Sequence, residues 1–175
     1  GTMEAPDLVE DGDTHKSNAE KKAVQAHKIF PDYDFVLAED SGIYVDALAD
    51  ELGLNTRRWG GKNDDEEWLR YFLDRMQAEV ARGARFVCNA CLLVKQNVGA
   101  DSDFSIYSFE GETRGIITKE KMAPLLPGLP LSSVFMPDGF DRVYAALSRE
   151  EKNKISHRGQ AIKQVKDFLM NNFNL

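Results

Sequence analysis

Apolar positions recur along the chain at two spacings, and the change from one to the other marks out helices and strands. Ala19, Ala23 and Ala26 repeat at helical spacing within an Ala- and Lys-rich stretch, Thr14 to Phe30, that closes at Pro31. This predicts a helix with a small-residue core face and with Asn18 and Lys22 on its exposed flank. The run Phe35-Val36-Leu37-Ala38 is bounded by Pro31-Asp32 and by Asp40-Ser41-Gly42. It reads as a buried strand ending in an acidic turn, with a second strand at Ile43 to Ala47.

Trp68, Leu69, Phe72, Leu73, Met76 and Val80 form an apolar stripe preceded by Asn63-Asp64 and by the acids Asp65, Glu66 and Glu67. This predicts a helix capped by Asn63 or Asp64, with carboxylates at the positive end of its dipole. Phe86 to Val94 and Phe104 to Phe109 are β-rich. Glu110-Gly111-Glu112 is expected to turn the second into a third run at Gly115 to Thr118, giving an antiparallel meander. From Lys119 to Gly139, prolines and glycines predict loop, with a short strand at Val134-Phe135-Met136, and an amphipathic helix follows Ser156 through Ala161, Ile162, Val165, Phe168 and Leu169. Helices and strands alternate at first and strands then run together, so the predicted class is α/β with a mixed β-sheet flanked by helices.

At 175 residues the chain suits one domain, with Gly1-Thr2-Met3 read as a tag remnant and start residue and 4–175 as the domain. The apolar runs, at most the five residues Ala90 to Val94, are too short to cross a bilayer, which predicts a cytoplasmic protein with no membrane partner. Lys and Arg number 22 against 29 Asp and Glu, a net charge of −7 that argues against a nucleic-acid polymer as partner. Any phosphate must be held by local cations. The two cysteines, Cys88 and Cys91, are too few for a disulfide framework, and three residues apart on a strand they face opposite ways.

Four places carry candidate chemistry. Glu39-Asp40-Ser41-Gly42 sits where a buried strand ends, either a reactive carboxylate aimed at a cleft or an acidic turn in solvent. Alternation along a strand lets only one of the two carboxylates address the cleft unless the turn has begun. Glu10 is a second carboxylate that could approach Asp40, and two such groups suit Mg²⁺, which keeps waters and substrate phosphates in its octahedron. Lys152, Ser156, His157 and Arg158 gather at a helix start, either an anion site or a capped, solvated first turn. Arg57-Arg58-Trp59-Gly60-Gly61 could hold a base or phosphate, or simply pack.

Taken in order, these segments resemble the inosine/xanthosine triphosphate pyrophosphatases, the Maf/Ham-type nucleoside triphosphate pyrophosphohydrolases. Asn18-Ala19-Glu20-Lys21-Lys22-Ala23 is similar to that family's Asn-Ala-x-x-Lys-Ala helix, and Leu37 to Leu48 to its Ala-Asp-Asp-Ser-Gly-Leu segment. Gly53 to Gly61 resembles the Gly-Val-x-Ser-Ala-Arg-aromatic-x-Gly loop, and Glu151 to Arg158 the Glu-Lys-Asn-x-x-Ser-His-Arg signature. The resemblance implies an elongated mixed α/β fold, ITPase-like, with a cleft between two lobes, a homodimer, and Mg²⁺-dependent hydrolysis of a nucleoside triphosphate to monophosphate and pyrophosphate. Asp40 would be the base or water-orienting group, Glu10 and Asp40 the metal ligands, and Lys22 a triphosphate contact. Asn18, Ser41, Arg58, Lys152, Ser156, His157 and Arg158 would bind substrate, the last two chiefly at its base.

The pattern departs from the family in two places. The opening Thr-Gly-Asn-x-x-Lys strand and loop has no counterpart, so the sheet edge is expected to be covered by dimerisation or by a rearranged N-terminal segment. The base loop Gly-Phe-Gly-Tyr/Trp-Asp-Pro-x-Phe becomes Gly128-Leu129-Pro130-Leu131-Ser132-Ser133-Val134-Phe135, without the aromatic stacking face. Two readings follow: a pyrophosphohydrolase of altered base preference, or a non-catalytic nucleotide-binding or protein-interaction descendant.

Overall fold

A helix begins where a side chain accepts the N–H groups that its first turn cannot pair. In the computed structural model, which describes residues 8–48, 51–56, 58–61, 64–96 and 104–173, Thr14 Oγ1 accepts from Ser17 N and opens α1 (His15–Ile29). Asp64 Oδ1 accepts from Glu66 N and Glu67 N and opens α2 (Asp65–Arg75). Ser148 and Glu151 cap each other's backbone and open α3 (Arg149–Ile155), which is followed at once by α4 (His157–Phe173). The strands are β1 (Phe35–Val45), β2 (Gly83–Lys95), β3 (Phe104–Ile117) and β4 (Phe135–Pro137), ordered β1-β2-β3-β4. The α/β class is as expected, while every ladder among the described residues is antiparallel where the sequence predicted a mixed sheet.

Two predicted turns are continuous strand. Glu39 to Gly42 stays in register with Ala90 to Val87 of β2, and Glu110 to Glu112 with Asn89 to Val87, so β1 and β3 each unite two predicted runs. The glycines that suggested turns serve close approach instead. A Cβ on Gly42 would lie 2.5 Å from Gly53 O and 2.6 Å from His15 Nε2, and one on Gly111 would overlap His157 O, where the start of α4 rests on β3. The helix expected to reach Val80 stops at Arg75, and Val80 is 95% exposed. Asn63, Arg57 and the segment 1–7 lie outside the described residues.

Because side chains alternate along each strand, the sheet has two working faces. One carries Val36, Ala38, Cys91 and Leu93 against Ala19 and Ala23 of α1. The small α1 face predicted from the alanines is what permits this approach. The other carries Cys88, Ala90, Leu92 and Val94 against Ala161 and Val165 of α4, so the two thiols do lie on opposite faces. A separate core, built from Ile43, Val45, Leu48, Trp68, Leu69, Phe72, Met76, Val134 and Phe135, forms the second lobe around α2. Each large side chain fully buried there contributes about 1.5–3 kcal/mol. β1 spans both lobes, and its polar segment Glu39–Gly42 falls between the cores.

β1 is an edge strand of the described sheet. Thr56 Oγ1 accepts from Ile43 N at 3.2 Å, and Lys22 Nζ donates to Glu39 O at 3.1 Å. Side chains of the same chain thus occupy part of the backbone edge for which the sequence predicted a dimer or a rearranged N-terminal segment.

Candidate active site

The segment before α1 is laid along that helix by a ladder of side chains. Gln25 donates to Val9 O and accepts from Val9 N, Lys21 pairs with Asp11 at 2.7 Å, and Asn18 Oδ1 accepts from Gly12 N at 2.7 Å. This strap places Glu10 beside Lys22, 2.6 Å from its Nζ. Residues 15, 18 and 22 share one helical face, and that face meets β1 at Asp40.

Asp40 is the centre of the cluster. Its Oδ2 accepts from His15 Nδ1 at 2.6 Å and from Asn18 Nδ2 at 3.3 Å, and its Oδ1 from Lys22 Nζ at 2.8 Å. Arg58 Nη2, on an exposed side chain, lies 4.0 Å from Glu10 Oε2. Burial by itself would raise the Asp40 carboxyl, but the hydrogen bonds and charge of His15 and Lys22 outweigh it and hold the group below its ordinary 3.8. Burial likewise works against the charged Lys22, and Asp40 with Glu10 reverses it, raising the ammonium above its ordinary value. At neutral pH the site therefore holds an ionised carboxylate and an ionised ammonium in contact.

Glu39 points to the other face, as strand alternation requires. Its Oε1 meets Arg158 Nη2 at 2.8 Å and its Oε2 accepts from Cys88 Sγ at 3.4 Å, with Ser41 opposite Cys88 in the ladder. Burial pushes the Cys88 thiol up to about 11, so it is a packed thiol rather than a nucleophile. His157 stacks on Phe86 with ring centroids 5.2 Å apart and planes at 13°. Ser156 Oγ accepts from Gly159 N at 3.1 Å and caps α4, and Lys152 Nζ donates to Ala145 O at 3.2 Å.

The expected residues thus fall into two groups joined by one peptide unit. Asp40, Lys22, Asn18, Glu10 and Arg58 gather on the α1 face. Arg158 is brought to the opposite face through Glu39, with Ser41 and His157 on that side, while Ser156 and Lys152 make local helix-end contacts. The sequence reading missed His15, which bonds the central carboxylate, although its spacing of three and seven from Asn18 and Lys22 places it on the same helical face. It missed Gln25, which anchors the strap, for want of any chemical signal. A cavity of about 210 Å³ lined by Glu112, Arg114, Lys154 and Gln160 includes none of the residues of either group in its lining. Three of its polar side chains are already engaged, Arg114 with Glu112, Lys154 with Glu150 and Gln160 with backbone.

Fold and site together define a two-lobed α/β protein whose lobes meet at a carboxylate held between an imidazole and an ammonium. The sequence matches the model of the Ham1 family over residues 1–168. It is 37% identical over 168 residues to the dITP/XTP pyrophosphatase of Opitutus terrae, covering 93% of this chain and 77% of that one. The structure is similar to the Ham1 protein of Staphylococcus aureus, with a TM-score of 0.78 and 32% identity over 94% of this chain and 81% of that one. The HAM1 protein of Coxiella burnetii is likewise similar, with a TM-score of 0.81 and 32% identity over 95% and 81%. The chain belongs to the Ham1 family.

Proposed function

We propose that the protein is a nucleoside triphosphate pyrophosphohydrolase, releasing pyrophosphate and a nucleoside monophosphate. One observation carries this reading: the Asp40 carboxylate, kept ionised between His15 and Lys22, stands within one shared ammonium of Glu10. Hydrolysis at a phosphorus needs a base to receive the proton of an attacking water and positive charge to offset the phosphates. Asp40 supplies the base. Lys22 and Arg58 supply local cations in a chain whose net charge of −7 offers no long-range attraction for a polyanion. The reading is further supported by relatives named dITP/XTP pyrophosphatase, 32–37% identical over most of this chain.

Among the described residues no group of three or more His, Cys, Asp or Glu side chains converges as a metal cage. Mg²⁺ does not require one, since it binds through one or two carboxylates plus phosphate oxygens and water. Glu10 and Asp40 already converge on a cation, Lys22, and offer hard oxygen donors, so they fit Mg²⁺. Bound there, the ion would neutralise phosphate charge and polarise the phosphoryl oxygens.

Base preference is broader in this reading than for an enzyme that stacks the base on an aromatic loop. Leu131, Ser132, Ser133, Val134 and Phe135 are buried in the α2 lobe, and the exposed large side chain of this loop is that of Leu129, which lacks a π face.

The test is pyrophosphate release over a panel of dITP, XTP and the standard nucleoside triphosphates, with and without Mg²⁺. Turnover that requires the metal is expected, and Asp40→Asn lowers kcat by about 10²–10⁴-fold, the range of general acid–base catalysis. An inert wild-type protein, or full turnover in Asp40→Asn, refutes the reading.

A further inference from the structure

The groups that bond Asp40 divide its two oxygens between them. Lys22 takes Oδ1, while His15 and Asn18 take Oδ2. The shorter of the two bonds on Oδ2 is that of His15, at 2.6 Å, within the range of strong charge-assisted hydrogen bonds. We propose that His15 is a positioning residue for hydrolysis: its Nδ1–H pins Asp40 Oδ2 and so turns Oδ1 toward Lys22 and the side where Glu10 stands. The proposal rests on the pyrophosphohydrolase reading and adds a residue to its machinery.

The setting of the ring is specific. His15 is the first residue of α1, directly after the Thr14 cap, and is 3% exposed. Its ring meets Tyr44 edge-on, with centroids 5.8 Å apart and planes at 84°. On the strand side the chain is side-chain-free at Gly42, where a Cβ would come within 2.6 Å of Nε2. Cap, aromatic edge and glycine together make a slot that sets both the depth and the direction of the imidazole. The acceptor decides the tautomer, because an ionised carboxylate can only accept and Nδ1 must therefore carry the proton. Nε2 is buried with no hydrogen-bonding partner among the described residues. Nδ1 thus makes the ring's hydrogen bond, and it goes to the one carboxylate that the reaction requires.

Without this bond, Oδ2 keeps only the 3.3 Å contact from Asn18, whose own orientation is set by Gly12 N. The carboxylate could then turn about its Cβ–Cγ bond. A base displaced by about 1 Å costs on the order of 10²-fold in rate. Substrate binding, which depends on other cations, should change little. This separates positioning from a purely structural role, in which turnover would fall only with the folded fraction.

Two substitutions and one spectrum test the proposal. His15→Phe keeps the ring and removes the donor, whereas His15→Asn keeps a donor at the same number of bonds from Cβ as Nδ1. For pyrophosphate release, His15→Phe is expected to lower kcat by about 10- to 100-fold with KM within about twofold, and His15→Asn to recover most of the loss. In ¹⁵N spectra of the wild-type protein, His15 should show a protonated Nδ1 whose shift moves in Asp40→Asn. This readout stands even if His15→Phe does not fold. Wild-type turnover that persists in His15→Phe, equal kcat in the Phe and Asn variants, or an unprotonated Nδ1 overturns the proposal and leaves the hydrolase reading intact. A wild-type protein that hydrolyses no nucleotide overturns both.

Discussion

Glu39 and Asp40 are neighbours in one strand and live in different surroundings. Asp40, with its side chain 11% exposed, accepts from three side chains of α1, all fixed by helix geometry and two of them, His15 and Asn18, buried. Glu39, 33% exposed, meets the guanidinium of Arg158, itself 60% exposed, and a thiol. On the α1 side the orientation of the groups is set before any ligand arrives, and that is what transition-state stabilisation by fixed charges requires. On the α4 side an exposed ion pair is worth little and exchanges readily, which leaves the Arg158 guanidinium able to change partners. One strand with period-two alternation therefore separates a rigid, enclosed cluster from an exposed, adaptable surface by a single peptide unit.

The sharpest way to break this contrast is Lys22→Met, which keeps the side-chain stem and removes the charge. It leaves Asp40 Oδ1 and Glu10 Oε1 facing each other without a cation. Pyrophosphate release is expected to fall by at least about 10²-fold, since one fixed charge contributes that order at a reacting centre. Stability should drop by about 1–3 kcal/mol in urea unfolding at neutral pH, the cost of stranding a largely buried hydrogen-bonding group. The sign with pH follows from Asp40, whose carboxyl is held below its ordinary 3.8. Its contribution is present above 3.8 and is lost as pH falls through the lower folded value, so the gap between wild type and Lys22→Met should narrow on acidification. A gap that is absent at neutral pH would mean that the α1 side is no more committed than the α4 side.

Much of this contrast could be read from the residues, and some could not, for physical reasons. The α1 helix and its small-residue face follow from spacing alone, because helical period and cap chemistry are local, but Asn18 and Lys22, expected on an exposed flank, are 5% and 14% exposed because that flank packs against Asp40 of β1. Glu39–Gly42 and Glu110–Glu112 read as turns because Gly, Asp and Ser favour turns. In the fold their backbone groups are satisfied by ladder partners far along the chain, and both Gly42 and Gly111 answer to a neighbour's approach. No local pattern carries that information. Val80 fits the helical stripe and fails because the helix ends at Arg75, short of the turn that Val80 would occupy. The strap that brings Glu10 to the site depends on Gln25, an amide whose role exists only once Val9 lies opposite it.

A smaller effect is expected on the other face. Arg158→Ala removes the exposed partner of Glu39, and its predicted signature is a rise in KM of roughly tenfold with kcat within about threefold, as expected for a charge that aids binding more than the chemical step. The urea midpoint should move by less than about 0.5 kcal/mol equivalent, because a solvent-exposed ion pair contributes little. Destabilisation as large as that in Lys22→Met would erase the asymmetry between the two faces. So would a fall in kcat with KM unchanged.

The smallest effect lies in the neighbouring ring, that of His157, which stacks on Phe86. Burial against Phe86, with a lesser push from the Arg158 charge, drives the His157 imidazole from its ordinary 6.5 down to about 4. Between those values the unfolded chain takes up a proton that the folded protein refuses, so stability falls as pH drops through this window and is unaffected above it. His157→Phe keeps an aromatic ring against Phe86 and removes the titrating group. The loss of thermal midpoint between pH 7 and pH 4.5 should therefore be smaller in His157→Phe than in wild type, by at most one proton's worth of slope. Arg158→Ala should reduce it only in part, because burial is the larger cause. Identical pH dependence in wild type and His157→Phe would show that this imidazole is hydrated rather than enclosed. The α4 face would then be open down to Phe86, and the contrast with Asp40 would be deeper than the ion pairs alone suggest.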